Sequence, residues 1–145
     1  MVSRADVIAE AERLMGVKWV HQGRSEKFGV DCIGLIGVVG YNLEIVEPAG
    51  VPNYSRRPNK TFLPLFRATQ LIEILPKDAL PGDILVFSKM GHPYHCGIKT
   101  IFYDEPAVIH AYAVARKVTV ENLATVVQVV GVFTHSFKYP NLTDL

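Results

Sequence analysis

The stretch "GVDCIGLIGVVGYNL" sets Cys32 directly after an aspartate, with glycine at every third position beyond it. If Asp31 caps a helix that opens at Cys32, the thiol lies beside unpaired backbone N–H groups and the positive end of the helix dipole. Both favour thiolate over thiol, and the thiolate is the nucleophile. The same N–H groups can hold the oxygen of a tetrahedral intermediate. The competing reading of Cys32 is a small buried apolar residue, the usual state of a free cysteine. A nucleophile also needs a base. His95 opens the strand-like run "HCGIKTIF", and His110 lies inside "AVIHAYA". Joined as a hairpin by an even loop such as Tyr103 to Pro106, these two runs present both histidines on one face. A turn centred on "DEP" pairs His110 with Lys99, which leaves the histidines roughly 13 Å apart along the strand. A bulge or skewed register is then needed to bring them together. One cysteine and two histidines fit the roles of nucleophile, base and orienter.

A metal site is the rival constellation. "GHPYHCG" offers His92, His95 and Cys96, with His110 as a fourth ligand, and zinc takes such groups tetrahedrally. Neighbouring residues on a strand point to opposite faces, so His95 and Cys96 do not readily share one ion. The expectation is therefore no metal, with Cys96 facing the core and His92 beside the cleft. Asp83, in the turn "PGD", reads as scaffold that bonds local backbone N–H groups.

The elements that must position these groups follow from caps and period. Ser3 with Asp6 three residues on forms a capping pattern, and Val7, Ile8, Ala11, Leu14 and Met15 make one apolar stripe that Gly16 ends. A polar connector, "VKWVHQGRSEKFGV", leads to the second cap at Asp31 and a helix through about Leu43. Gly34, Gly37 and Gly40 each cost that helix up to about 1 kcal/mol against alanine, so another backbone is expected to press close there. "EPAGVPNYSRRPNK" reads as loop and "FLPLFRATQLIEI" as a further helix. Then the period changes. "GDILVFS", "HCGIKTIF", "AVIHAYA", "KVTVENL" and "VVQVVGVFTH" are β-branched runs separated by turn residues, and "KYPNLTDL" reads as a tail. Helices first and strands after predict an α+β domain with an antiparallel sheet, one domain spanning residues 1–145.

Composition narrows the partners. Fifteen basic residues balance fourteen acidic ones, which is not the one-sided surface that nucleic acid demands. Arg24, Lys27, Arg56 and Arg57 fall on the two long loops and read as solvated surface, with Arg24 a candidate for the cleft rim. Two cysteines make no disulfide framework. Charges at Arg4, Asp6, Glu10, Glu12 and Arg13 break any signal-peptide core, and no apolar run is long enough for a membrane span. The expectation is synthesis in the cytoplasm without a signal peptide.

In their order and spacing, "GVKWVHQG", "DCIGL", "LPGDILVF" and "HCGI" followed by "IHA" resemble the NlpC family of cell-wall cysteine peptidases, and within it the subgroup found with phage tails. The resemblance implies a papain-like fold, with the nucleophile's helix packed on a small antiparallel sheet. It implies hydrolysis of peptidoglycan stem peptides at the γ-D-glutamyl to diamino-acid bond, with no cofactor. It assigns Cys32 as nucleophile, His95 as base and His110 as orienter. Trp19 stands where members of the family carry a tyrosine, so His21 or Gln22 must supply the missing hydroxyl's contacts, because an indole only donates. Asp31 matches the family as cap and as a candidate for substrate-amine recognition. The implied partners are the peptidoglycan peptide and phage tail or hub proteins, and the implied location is a phage or phage-like tail. Two alternatives stand beside this reading: a structural tail component that keeps the fold without catalysis, and a related thiol amidase or acyltransferase.

Overall fold

The structure, a computed structural model, describes residues 1–47 and 61–144. The chain opens with α1 (Arg4–Arg13), whose cap is the reciprocal pair expected from sequence: the Ser3 hydroxyl accepts from Asp6 N–H while the Asp6 carboxylate accepts from Ser3 N–H. Val7, Ala11 and Leu14 are buried from its stripe, whereas Met15 is exposed. The connector is not featureless. It carries a small hairpin, β1 (Arg24–Ser25) and β2 (Gly29–Val30), immediately before α2 (Cys32–Asn42). Asp31 caps α2, its Oδ1 accepting from Gly34 N–H at 2.8 Å.

The expected helix at "FLPLFRATQLIEI" is shorter than its run. α3 spans Phe62–Arg67, and Ile72–Ile74 is an edge strand, β3. The sheet continues with β4 (Ile84–Lys89), β5 (His92–Phe102), β6 (Glu105–Tyr112) and β7 (Lys117–Asn122). A second correction follows. "VVQVVGVFTH" is not one strand, because Asn122 accepts from Ala124 N–H and Thr125 N–H and so opens α4 (Leu123–Val129). One cap and the burial of Val126 and Val130, four residues apart, override the strand preference of valine. Only then does β8 (Phe133–Lys138) begin, and it inserts between β3 and β4 to give the order β3-β8-β4-β5-β6-β7, antiparallel throughout.

Both faces of this sheet are covered, which explains why "ILVF" in β4 lacks alternation. On one face Val7, Ala11, Leu35, Ile36 and Val39 of α1 and α2 pack on Ile84, Val86, Cys96, Ile98, Ile109 and Ala111. On the other, Val126 and Val130 pack on Leu85, Phe87 and Val108. The fold is thus the expected α+β one, with the helix that opens at Cys32 packed on an antiparallel sheet. The glycines of α2 serve a different neighbour from the one expected. A Cβ on Gly34 would strike the carbonyl oxygen of Gly23 in the connector, and one on Gly40 would meet Val46 and Tyr139. Gly37 faces open space. The close approach at Gly34 is to the loop ahead of the helix, and that at Gly40 is to residues beyond the helix and beyond β8, not to the strands.

The last residues are no loose tail. Tyr139 is fully buried and donates from its hydroxyl to the Ile36 carbonyl at 2.7 Å. Leu142 bridges Val2, and Thr143 N–H donates to the Val2 carbonyl. Arg4 reaches from α1 to Asp83 at 2.9 Å and to the Asp144 carbonyl at 2.6 Å. Asp83, fully buried, also accepts from Leu80 N–H and is scaffold, as its turn suggested. Among the described residues no helix is long and apolar enough to cross a membrane. The run "EPAGVPNYSRRPNK", read as loop, with its Arg56 and Arg57, lies, apart from Glu47, outside the described residues.

Candidate active site

The β5–β6 hairpin turns on two residues, Tyr103 and Asp104, both with positive φ (51° and 62°), and Phe102 pairs with Glu105. This is the primed two-residue turn whose twist suits a hairpin. It lies earlier than a turn centred on "DEP", and every pair shifts accordingly: Lys99 faces Val108, not His110. Continued by the same register, His110 falls opposite Gly97, diagonal to His95 and on the same face. No bulge between β5 and β6 is required. The histidines meet, with His95 Nε2 and His110 Nδ1 2.7 Å apart and ring centroids at 4.9 Å.

Gly97 makes the diagonal contact possible. A Cβ there would come within 2.9 Å of the His110 Cβ and 3.0 Å of the Ile109 carbonyl oxygen. A bulge does exist, on the other edge of β5. Phe87 pairs with His95 and Ser88 with Pro93, so Tyr94 is the extra residue. The bulge turns Tyr94 to the His95 side, where its ring lies 6.3 Å from the imidazole and its hydroxyl donates to the Val130 carbonyl. Tyr112 stacks on His110 at 4.9 Å and meets His95 edge-on at 6.0 Å. Tyr94 and Tyr112 were not singled out from sequence. Tyr112 sits two positions from His110, and the two-residue period of a strand was the available signal.

Cys32 stands in the first turn of α2 and keeps 8% of its surface exposed, as does His95. It packs in the same core cluster as Cys96, the residue after His95 in β5, and the two thiols influence each other. Cys32 is therefore seated against the segment that carries the first histidine. Among the described residues, however, no hydrogen bond links Cys32 to His95, and the imidazole bond that is present runs to His110. The two cysteines differ sharply. Cys96 is wholly buried in the core between α2 and the sheet, and burial together with the Cys32 thiol pushes its own thiol well above the ordinary cysteine range. His95 and Cys96 point to opposite faces, as strand geometry requires.

The connector residues gather ahead of Cys32. Trp19 and His21 stack at 6.4 Å, and Gln22 N–H donates to Asp31 Oδ2 at 2.8 Å. Asp31 is 3% exposed, and its carboxylate accepts from Gln22 N–H, Gly34 N–H and Arg24 Nη1. It is a post that ties loop to helix, and Arg24 is drawn inward to it instead of standing free on a rim.

Burial holds both imidazoles neutral. His110 is pushed down to about 4, and His95, buried beside His110, is held well below the ordinary histidine range. The sign of the pH effect follows. The unfolded chain takes up these protons as pH falls below about 6.5, and the folded chain does not, so acid favours unfolding. Stability is expected to decline between about pH 6.5 and 4, by roughly 3 kcal/mol for His110 alone. Melting temperatures measured across that interval check this, and His110→Asn should flatten the decline.

The profile of the NlpC/P60 family matches residues 16–129. Among solved structures, the NlpC/p60 domain of the peptidoglycan hydrolase SagA aligns with a TM-score of 0.65 at 22% identity, over 94% of this chain and 99% of that one. An NlpC/P60 family protein from Bacillus cereus ATCC 10987 aligns with a TM-score of 0.66 at 19% identity, over 94% of this chain and 40% of that one. This chain thus spans about two fifths of that protein. An N-acetylmuramoyl-L-alanine amidase from Bacteroides uniformis ATCC 8492 aligns at 0.57 and 13% identity, over 92% and 96% of the two chains. These likenesses establish a shared fold. No curated protein matches the chain.

Proposed function

The chain belongs to the NlpC/P60 family, and from that premise we propose that it is a cysteine peptidase that hydrolyses the stem peptides of peptidoglycan. The observation that carries the reading is the buried His95–His110 pair at 2.7 Å on the strand segment against which Cys32 is seated. His95 Nε2 is committed to His110, so Nδ1 is the nitrogen that takes the proton from the Cys32 thiol. Held neutral by burial, His95 is in the state a general base requires. The sulfur attacks the peptide carbonyl carbon, and the proton on His95 passes to the departing amine. Water then attacks the thioester, with His95 taking its proton, and hydrolysis returns the thiol.

The oxyanion has donors at hand. Asp31 Oδ1 occupies the Gly34 N–H and the Asp31 carbonyl occupies that of Leu35, which leaves the N–H groups of Cys32 and Ile33 at the mouth of α2. The sulfur–imidazole contact tightens when substrate seats, as catalytic hydrogen bonds commonly do. Trp19, His21 and Gln22 lie on the strip leading to the nucleophile and serve as the substrate wall. Asp31 acts by holding that strip in place. The bond cut is the γ-D-glutamyl to diamino-acid linkage, and the enzyme works as a phage or phage-like tail component that opens the wall. Both assignments rest on the motif resemblance of "GVKWVHQG", "DCIGL" and "HCGI" to tail-associated peptidases.

A second reading has one specific observation in its favour. The Cys32 thiol packs with Cys96 in the core, and among the described residues no hydrogen bond links it to His95, as it would be in a structural component that has kept the fold and lost the chemistry. Two measurements decide. Defined muropeptides incubated with the purified protein and weighed by mass spectrometry should release fragments cut at one stem-peptide bond. A thiol-alkylating probe at neutral pH should label Cys32 rapidly, and far more slowly in His95→Ala. Intact muropeptides with an unreactive Cys32 would establish the structural role instead.

A further inference from the structure

His110 Nε2 is buried and has no hydrogen-bond partner among the described residues. A buried polar atom left unpaired costs about 1–3 kcal/mol, so its surroundings bear on its role. The acidic group facing it is Glu121, whose Oε1 lies 3.6 Å away. The placement follows from register. His110 pairs with Thr119, and Glu121 lies two residues further along β7 on the same face, in the diagonal relation that His95 has to His110 on the other side. The groups around His110 are His95 from β5, Tyr112 from its own strand and Glu121 from β7, while α4 contributes no titratable side chain.

Two neutral imidazoles 2.7 Å apart can share their hydrogen bond in two ways. In one, His95 Nε2–H donates to His110 Nδ1, and the lone pair of His95 lies on Nδ1, free to accept a proton. In the other, His110 Nδ1–H donates to His95 Nε2, and His95 Nδ1 carries a proton and is useless as a base. Nothing in the pair itself selects between them. We propose that Glu121 is the positioning residue that selects the first arrangement, its carboxylate accepting from His110 Nε2–H and so leaving His110 Nδ1 as an acceptor. The order is then thiol, His95, His110, carboxylate, with one proton between each neighbouring pair. Glu121 touches neither substrate nor sulfur and acts only through the tautomer of His110. Burial raises the Glu121 carboxyl above its ordinary range, which fits a group aimed inward from a partly exposed strand.

This role rests on the proposed Cys32–His95–His110 chemistry, and its test separates the two. Nitrogen-15 spectra of histidine-labelled protein at neutral pH should show His110 protonated on Nε2 in the native chain and shared between tautomers in Glu121→Met. The same variant should slow Cys32 alkylation and lower kcat by about tenfold to a hundredfold with KM little changed. Glu121→Gln, which can still accept through its amide oxygen, should restore part of the rate, and it stands in if the methionine variant does not fold. Native His110 protonated on Nδ1, or folded Glu121→Met with unaltered tautomer and rate, overturns the role while leaving the catalytic reading standing. An unreactive Cys32 in the native protein sinks the catalytic reading and the role with it.

Discussion

Replacing Cys32 with alanine is expected to lower hydrolysis of stem peptides by at least about a thousandfold while the protein still folds and melts cooperatively. The loss is large because no other group can take over the attack. Cys96 is the one other thiol, and it is wholly buried, with its proton held firmly by that burial. Of the buried serines, Ser88 bonds Thr134 and Ser136 lies in β8. The fold should tolerate the change. Cys32 sits at the margin of the α2 core, and Asp31 caps the helix through Gly34 without the sulfur's help. Turnover of a defined muropeptide, read beside a melting curve of the same sample, checks both halves. A Cys32→Ala protein that cleaves at the native rate would end the proposal that this thiol is the nucleophile.

The second large effect is on stability. Asp83→Ala should cost about 3–5 kcal/mol, because it takes the buried carboxylate from the buried Arg4 guanidinium and leaves it only the Asp144 carbonyl and the more distant, half-exposed Asp144 carboxylate. Domains of this kind are stable by only about 5–15 kcal/mol, so the variant should unfold at a much lower urea concentration or fail to accumulate. Asp83 does more than pair with Arg4. Its second oxygen accepts from Leu80 N–H, and its backbone carbonyl accepts from Lys99 N–H, so one residue joins α1, the turn before β4 and the middle of β5. Replacing both partners with apolar residues, Arg4→Met with Asp83→Leu, should recover much of the loss, since no charge is then left buried alone. Denaturation midpoints of the three proteins test the point. A single variant as stable as the native chain would contradict it.

What could be read from the sequence was whatever depends on neighbours in the chain. Ser3 with Asp6, and Asp31 with Gly34, are contacts within one turn, and they announced both helices and the placement of Cys32. The parity of an even hairpin loop similarly marked His95 and His110 as candidates to share a face. What escaped was settled across the fold. The β5–β6 register depends on where a two-residue turn closes, and Tyr103–Asp104 lacks the Asn-Gly or Asp-Gly signature that reveals such turns, so the pairing shifted by two residues. The Val-rich run after Asn122 followed its cap into α4 against its own strand preference. Tyr139 reads as tail polarity in the chain, and only the Ile36 carbonyl waiting in α2 makes it core. Glu121 escaped for the same reason as the register. Its distance to His110 is set by the pairing of β6 with β7, and the alternation in "KVTVEN" would have found it only after that pairing was known.

Gly97 changes how mutational data on this chain should be interpreted. It has no side chain to bind, donate or attack, yet a methyl group there would strike the Val108 side chain and press on the Cβ of His110 and the Ile109 carbonyl oxygen. In a library scored by activity, position 97 should therefore be as intolerant as the positions of the histidines themselves. Intolerance to replacement at this site would report a clearance, not a participant, and a survey that ranked residues by sensitivity alone would count empty space among the catalysts.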